Sequence, residues 1–475
     1  MKRWVVAFVV VVLACVPIFL SRSSDPGLLT DSDTSVLIKA LNVRHAPLSW
    51  FGGDWPLENH FYRPVSTLSF EFDNAVHPNN PGGFGLTNVS LVIGCVFLLF
   101  WFLREITDSP LVSCLSASLF SFWVCGKYFG ALSAGLGYLS DFAAVILIGS
   151  LILFLVRKVE RKPAGDQWKR ALLAASAALL LYYAAFEVEA SGVTVMLSQL
   201  PWRMLLWLPG RTASVMTLFA LLAMASYARY ERISAERAPA EATSTDVPAT
   251  KGTVLVGKPR FAWIWCVLAC LGVALALGSY EQAVMLPTAL VGVAVSLKLR
   301  RYRVRWAWHA AFWLILVLYL VLRNQLLPHG VSQYQRQQFR HSGAVIEAIM
   351  GYAFPALMPL WHVIAASGSV IELLSVGQFW TAVLRIVADI SSSVTVIRKR
   401  FALALTGYAL SVLAFLPMAW LKPFGHYDFW PMAMRSLFTV TLCWVAIERL
   451  INAVSPLSLQ APPRQSPAPG SLPHP

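Results

Sequence analysis

Long apolar runs recur along this chain, and each ends in a short polar or basic stretch. The first, WVVAFVVVVLACVPIFL (Trp4–Leu20), carries no charged side chain over 17 residues. A helix rises about 1.5 Å per residue, so such a run with its flanks reaches across the ~30 Å hydrocarbon core of a bilayer. Lipid offers no partner to backbone N–H and C=O groups, so these runs must close their hydrogen bonds internally, as helices. The expected fold class is therefore an all-α polytopic membrane protein.

The balance of residue types agrees. The 475 residues are 57% hydrophobic and 13% charged, against about 25% charged in soluble domains. The 38 Lys+Arg and 24 Asp+Glu leave a net charge of +14, which in isolation would suggest a nucleic-acid partner. The placement of the charge excludes it. Basic residues gather in short clusters between apolar runs, as in RKVERKPAGDQWKR (Arg157–Arg170) and KLRRYRVR (Lys298–Arg305), the pattern of cytoplasmic loops in membrane proteins. The seven cysteines (Cys15, Cys95, Cys114, Cys125, Cys266, Cys270 and Cys443) all lie in apolar stretches without metal-ligand spacing and read as packing residues.

Topology follows from these clusters. Lys2 and Arg3 hold the N-terminus in the cytoplasm, and the first run reads as a retained helix because no small-residue cleavage site interrupts it. Residues 21–85 then form a large first extracytoplasmic loop. Further spans are expected near 86–103, 110–126, 138–156, 171–187, 205–227, 261–278, 282–298, 306–323, 401–420 and 433–451. Region 344–396 needs an odd number of crossings, best met by one crossing plus a re-entrant segment. About twelve spans result, within a membrane domain over 1–455. The Ala/Pro/Thr-rich stretch 228–260 reads as a flexible cytoplasmic loop, and 456–475 as a disordered, Pro-rich cytoplasmic tail.

On this topology the extracytoplasmic face collects Asp31 and Asp33, Tyr62 and Arg63, Arg211, Glu281, Arg323, His426 and Tyr427. Ionisable groups at membrane depth are costly, and they usually face an interior cavity and serve function. Carboxylates beside several arginines suit a reaction in which a base activates an acceptor while cations hold a phosphate leaving group. Each residue also has a plainer reading. Asp31 and Asp33 could cap a helix beginning near Thr34, and Glu281 could be an interfacial residue reaching for water. Arg63 could meet a lipid headgroup, and His426 could belong to an interfacial aromatic belt. His45, His60 and His77 share the first loop at a spacing that matches no metal motif, so no metal ligand is named and a divalent ion is left open.

Four segments in order resemble the GT-C superfamily of multi-pass membrane glycosyltransferases, and within it the membrane domain of polyprenyl-phosphate-mannose-dependent O-mannosyltransferase-like proteins. HFYRPVSTLSFEFDNAVHPNNPGGFGLTN is similar to that group's Tyr-Arg-Pro motif, its short helix with an acidic residue, and its Leu-Thr-Asn start of the next span. WLPGR matches a Trp-x-x-Gly-Arg element through Trp207, Gly210 and Arg211. GSYEQAVMLP resembles a Ser-Lys-Glu-x-x-x-x-x-Pro element through Glu281 and Pro287, and GHYDFWP an Arg/His-Tyr-x-x-x-Pro element. Two positions depart: Ala213 stands where the group often has an acid, and Tyr280 replaces its lysine. The tetratricopeptide repeats of many relatives are not expected in these residues.

The likeness covers about residues 25–450. It implies a GT-C-like bundle of about twelve helices, a polyprenyl-phosphate sugar donor, and a protein, glycan or lipid acceptor. It also implies Asp33 or Asp31 as catalytic base or metal-assisting group. Arg63, Arg211 and His426 would hold the donor phosphate, with Tyr62, Glu281, Arg323 and Tyr427 around the same cavity. A bacterial inner membrane is the expected location. A lipid-linked substrate transporter or flippase, and an inactive scaffold of the same architecture, stay open as alternatives.

Overall fold

A computed structural model of the chain describes residues 2–44, 46–125, 203–235, 261–300, 302, 304–353 and 396–454. Every named element among them is helical. Six helical segments are long and apolar enough to cross a membrane: Lys2–Leu20, Pro81–Thr107, Leu208–Ser234, Glu281–Leu299, Ala307–Leu326 and Ala402–Trp420. Pro110–Val124 and Ala262–Leu277 are apolar but shorter. This is the make-up of a multi-pass membrane protein. The expected spans near 138–156 and 171–187, most of 344–396, most of the 228–260 loop and the 456–475 tail lie outside the described residues.

Helix α1 (Lys2–Leu20) leads into three shorter helices, α2 (Gly27–Thr30), α3 (Ser32–Arg44) and α4 (Pro64–Val76), which occupy the expected first loop. Helix α5 (Pro81–Thr107) begins earlier than the loop boundary at 85. Asn80 caps it by accepting from the N–H groups of Gly82 and Gly83, and Pro81 takes the first helical position, where a missing N–H costs nothing. Its close approach to the chain leaving α1 requires a glycine. A Cβ on Gly85 would run into the Ser23 carbonyl oxygen.

Helix α6 (Pro110–Val124) returns from α5. After the four-residue α7 (Arg203–Leu206) comes α8 (Arg211–Ala235). The sequence reading ended this span at 227, but Tyr230 and Glu231 are buried: Tyr230 accepts from the Trp308 indole at 2.9 Å, and Glu231 from the Arg305 backbone. Tertiary contacts thus carry the helix two turns past the apolar run. Then follow α9 (Ala262–Leu277), α10 (Leu286–Leu299), α11 (Ala307–Leu326), the short α12 (Gln333–Gln338), α13 (Ser342–Ala353), α14 (Val396–Phe415) and α15 (Phe429–Val454).

Helix α8 is the axis of the bundle. It packs on α5 and α9, and 83% of its span is buried, against 28% for α1 and 22% for α11 at the periphery. Apolar side chains from α1, α5, α6, α8, α9, α10, α14 and α15 share one core. Helices α14 and α15 pair tightly at Gly407, where a Cβ would meet the Phe438 backbone nitrogen at 2.7 Å. Small residues at helix contacts let backbones approach where lipid supplies no hydrophobic drive.

The two ends of the bundle differ. At one end, Asp108 pairs with Arg232 at 2.8 Å and Arg300 at 2.5 Å, and Glu105 meets Arg229 and Arg232. This lattice ties the α5–α6 turn to the ends of α8 and α10. The opposite end carries the α2–α4 region, the Gly278–Glu281 turn, α12 and the Gly425–Asp428 turn, and it holds the main cavity.

Candidate functional site

The turn Gly278–Gln282 between α9 and α10 is the hub of that end. Its carbonyls bind the start of α4: Gly278 O accepts from Val65 N at 2.9 Å and Ser279 O from Ser66 Oγ at 2.9 Å. The buried Gln282 amide donates to Ala414 O at 2.8 Å and Tyr427 O at 2.9 Å, tying in the end of α14 and the turn before α15. Between these anchors stands Glu281. Its Oε2 accepts from Arg63 Nε at 2.9 Å and Nη2 at 2.6 Å, while Oε1 is buried without a protein donor.

Arg63 sits in a cage of rings. Its guanidinium carbon lies 4.6 Å from the ring centre of Trp55, 4.1 Å from Phe61 and 4.5 Å from Tyr280. Each such contact contributes about 0.5–2 kcal/mol depending on desolvation. Burial pulls the guanidinium pKa down, but Glu281 and Tyr280 more than offset this and leave it above its ordinary value. The charge is permanent and locally compensated.

The cage is built by a tight loop. Asp54 Oδ1 accepts from Trp55 N at 2.8 Å and Phe61 N at 2.9 Å, and Oδ2 from His60 N at 2.7 Å. Burial pushes the Asp54 carboxyl above the usual carboxylate value, and these three N–H donors pull the other way. The same loop carries Glu58 and His60 at positive φ, 49° and 64°, a conformation that costs a residue with a Cβ about 1–2 kcal/mol.

Around this core lies a cavity of about 850 Å³. Asp33, Glu58, Arg63, Glu281, Arg323 and His426 bring ionisable groups to its wall, and Trp55, Phe61, Trp207, Tyr280, Tyr334 and Tyr427 bring rings. Burial raises the phenol pKa values of Tyr280 and Tyr427 above their ordinary value, so both present neutral hydroxyls. Helix α12 lies across the cavity as a strap. A capping box between Ser332 and Gln335 starts it, Gln335 Nε2 donates to His60 O at 3.1 Å, and its far end bridges to Leu421. His426 is buried, its ring 5.2 Å from Trp207 and 4.4 Å from Tyr427.

Three expected site residues stand elsewhere. Arg211 is wholly buried away from the cavity. Its Nε donates to Asn88 Oδ1 at 2.7 Å, its Nη1 and Nη2 to the Ser69 and Phe84 carbonyls, and Nη2 lies 2.6 Å from Asp73 Oδ2. Every guanidinium nitrogen has a protein acceptor, so Arg211 joins α8 to α4 and α5 instead of holding a phosphate. Asp31 Oδ2 accepts from the Trp207 indole at 3.0 Å, outside the cavity lining; of Asp31 and Asp33, only Asp33 lines it. Tyr62 is buried and donates to the Phe51 carbonyl.

Sequence reasoning missed the Arg63 cage, Glu58 and Asp73. The density of aromatics in WFGGDWPLENHFYRP beside one arginine was the available signal for the cage. Nothing local marked Asp73 as the partner of an arginine 138 positions away. Among the described residues, no group of three or more His, Cys, Asp or Glu is placed to hold a metal ion. No family model, curated protein or solved structure matches this chain.

Proposed function

We propose that this protein is an integral-membrane glycosyltransferase that moves a sugar from a polyprenyl-phosphate donor to an acceptor at the cavity end of the bundle. That end is taken as extracytoplasmic because the basic lattice lies at the other, and a bacterial inner membrane is the proposed location. The observation that carries the reading is a carboxylate, Asp33, on the wall of a cavity that also presents cations and neutral phenols.

In this mechanism the Asp33 carboxylate accepts the proton of an acceptor hydroxyl. The acceptor oxygen bonds to the sugar's anomeric carbon as the bond from that carbon to the donor phosphate oxygen breaks, and the polyprenyl phosphate leaves with the electron pair. Arg323 stabilises the phosphate charge that develops, and His426 stands on the wall of the cavity that receives the sugar. Glu281 has a positioning role, fixing Arg63 and through it the cavity wall.

The two departures from the GT-C pattern have local counterparts. Arg211 lacks an acid at Ala213 but is neutralised by Asp73. Tyr280, in place of a lysine, lays its ring 4.5 Å from the Arg63 guanidinium, where an ammonium would repel it. These features support a working site over an inactive scaffold.

Purified protein in sealed proteoliposomes, given a polyprenyl-phosphate donor with radiolabelled sugar, tests the reading. Label is expected to pass to an added acceptor. Movement of intact donor across the bilayer without transfer would replace the enzyme with a lipid carrier, and neither transfer nor movement would leave a scaffold.

A further inference from the structure

Beside the main cavity lies a second chamber of about 360 Å³, lined by His60, Arg323, Asn324 and His329 together with the Leu327–Gly330 turn. Arg323 and Gly330 belong to both walls, so the chamber adjoins the main cavity. Among the described residues, no acidic side chain lines it. Three of its four polar side chains are an arginine and two histidines, an arrangement biased toward an anion.

The three arginines of the expected site differ in what they have left to give. Arg211 gives every guanidinium nitrogen to the protein. Arg63 gives Nε and Nη2 to Glu281 and its faces to three rings. Among the described residues Arg323 makes one long bond, Nη2 to His60 O at 3.4 Å, and its buried Nε meets no acceptor there. A buried donor left unpaired is costly, and a guanidinium edge matches the spacing of phosphate oxygens.

The surrounding backbone is shaped to leave this room. His60 stands at φ 64° with its N–H bound to Asp54, and its carbonyl faces Arg323 and Gln335. Gly330, at φ 103°, turns the opposite wall, and its carbonyl meets His60 Nδ1 at 3.4 Å.

We propose that this side chamber is an anion site in which Arg323, with His60, His329 and Asn324 around it, takes a phosphate group. Under the proposed function, on which only this source assignment rests, the group is the donor's lipid-linked phosphate, seated next to the carboxylate-bearing cavity. A free phosphate from solution is the other source of the same chemistry.

The test measures binding of inorganic phosphate and of a short-chain polyprenyl phosphate to the purified protein in detergent, by calorimetry, for wild type and Arg323→Gln. Both ligands are expected to bind wild type, with the polyprenyl phosphate tighter, and Arg323→Gln to weaken both at least tenfold. Inorganic phosphate binding as tightly as the lipid would assign the chamber to a free anion. Asn324→Asp, which adds a negative charge at an exposed position, is expected to weaken both ligands as well and serves should Arg323→Gln not fold. Wild-type affinity in the folded variants, or no binding of either ligand to wild type, would overturn the site. Arg323-dependent phosphate binding without sugar transfer would instead overturn the enzyme and leave the chamber standing.

Discussion

At the scale of single residues, two buried arginines with opposite surroundings organise this end of the protein. Arg211 and Asp73 have no exposed side-chain surface, and removing one partner of such a pair strands a charge in a dry interior, at about 3–5 kcal/mol. Arg211→Met is therefore expected to lower the melting temperature in detergent sharply, and Arg211→Met with Asp73→Leu to recover much of the loss; equal losses in the single and double variants would contradict the pairing. Arg63 and Glu281 should also behave as a unit. A double-mutant cycle with Arg63→Met and Glu281→Gln is expected to give a stability coupling of about 0.5–3 kcal/mol, and strict additivity would mean the 2.6 Å contact contributes nothing. The sequence marks these arginines and Glu281 because each is a charge bordered by apolar residues. It does not separate the arginine inside the packing from the one at the cavity, since the cost of burial is the same argument for both.

At the scale of elements, helix contacts are set by small residues and by the turns that tie helices together. Gly407 lies where the α14 and α15 backbones nearly touch, so Gly407→Leu is expected to push them apart and destabilise the protein by several kcal/mol. Gly343→Ala, at a helical position with nothing within 4 Å of the added methyl, should be neutral or stabilising by about 0.5–1 kcal/mol. Thermal unfolding of the two variants checks this, and a similar loss in both would argue against the close approach. The apolar runs at 86–103, 110–126, 261–278, 282–298 and 306–323 correspond to α5, α6, α9, α10 and α11, because hydropathy is a local property of the chain. Boundaries moved where long-range contacts act, as at Tyr230 and Glu231, and the α2–α4 region within the first loop was legible only as polar sequence with a capping signal near Thr34. The Gly278–Gln282 hub is a set of backbone and amide bonds to residues more than a hundred positions away, which no local pattern encodes.

At the scale of the whole molecule, the bundle has a basic end and a cavity end, and the proposed orientation puts the first in the cytoplasm. The seven native cysteines are buried or half-buried thiols, so single cysteines introduced at exposed sites can report on each face. Cysteine at Glu58 is expected to react with a membrane-impermeant maleimide added to intact cells, and cysteine at Lys298 only after permeabilisation; the reverse pattern would invert the protein and move the cavity to the cytoplasm. The central claim gives the catalytic base of this cavity to Asp33, and comparing Asp33 with the nearby Asp31 separates the claim from its neighbours. The most direct measurement is the rate of sugar transfer from a polyprenyl-phosphate donor by purified wild type, Asp33→Asn and Asp31→Asn, each confirmed folded by its melting curve. The account predicts that Asp33→Asn loses at least a hundredfold in rate, within the range typical of a catalytic base, while Asp31→Asn loses no more than a few-fold. Transfer unchanged by Asp33→Asn, or abolished by Asp31→Asn alone, would contradict it.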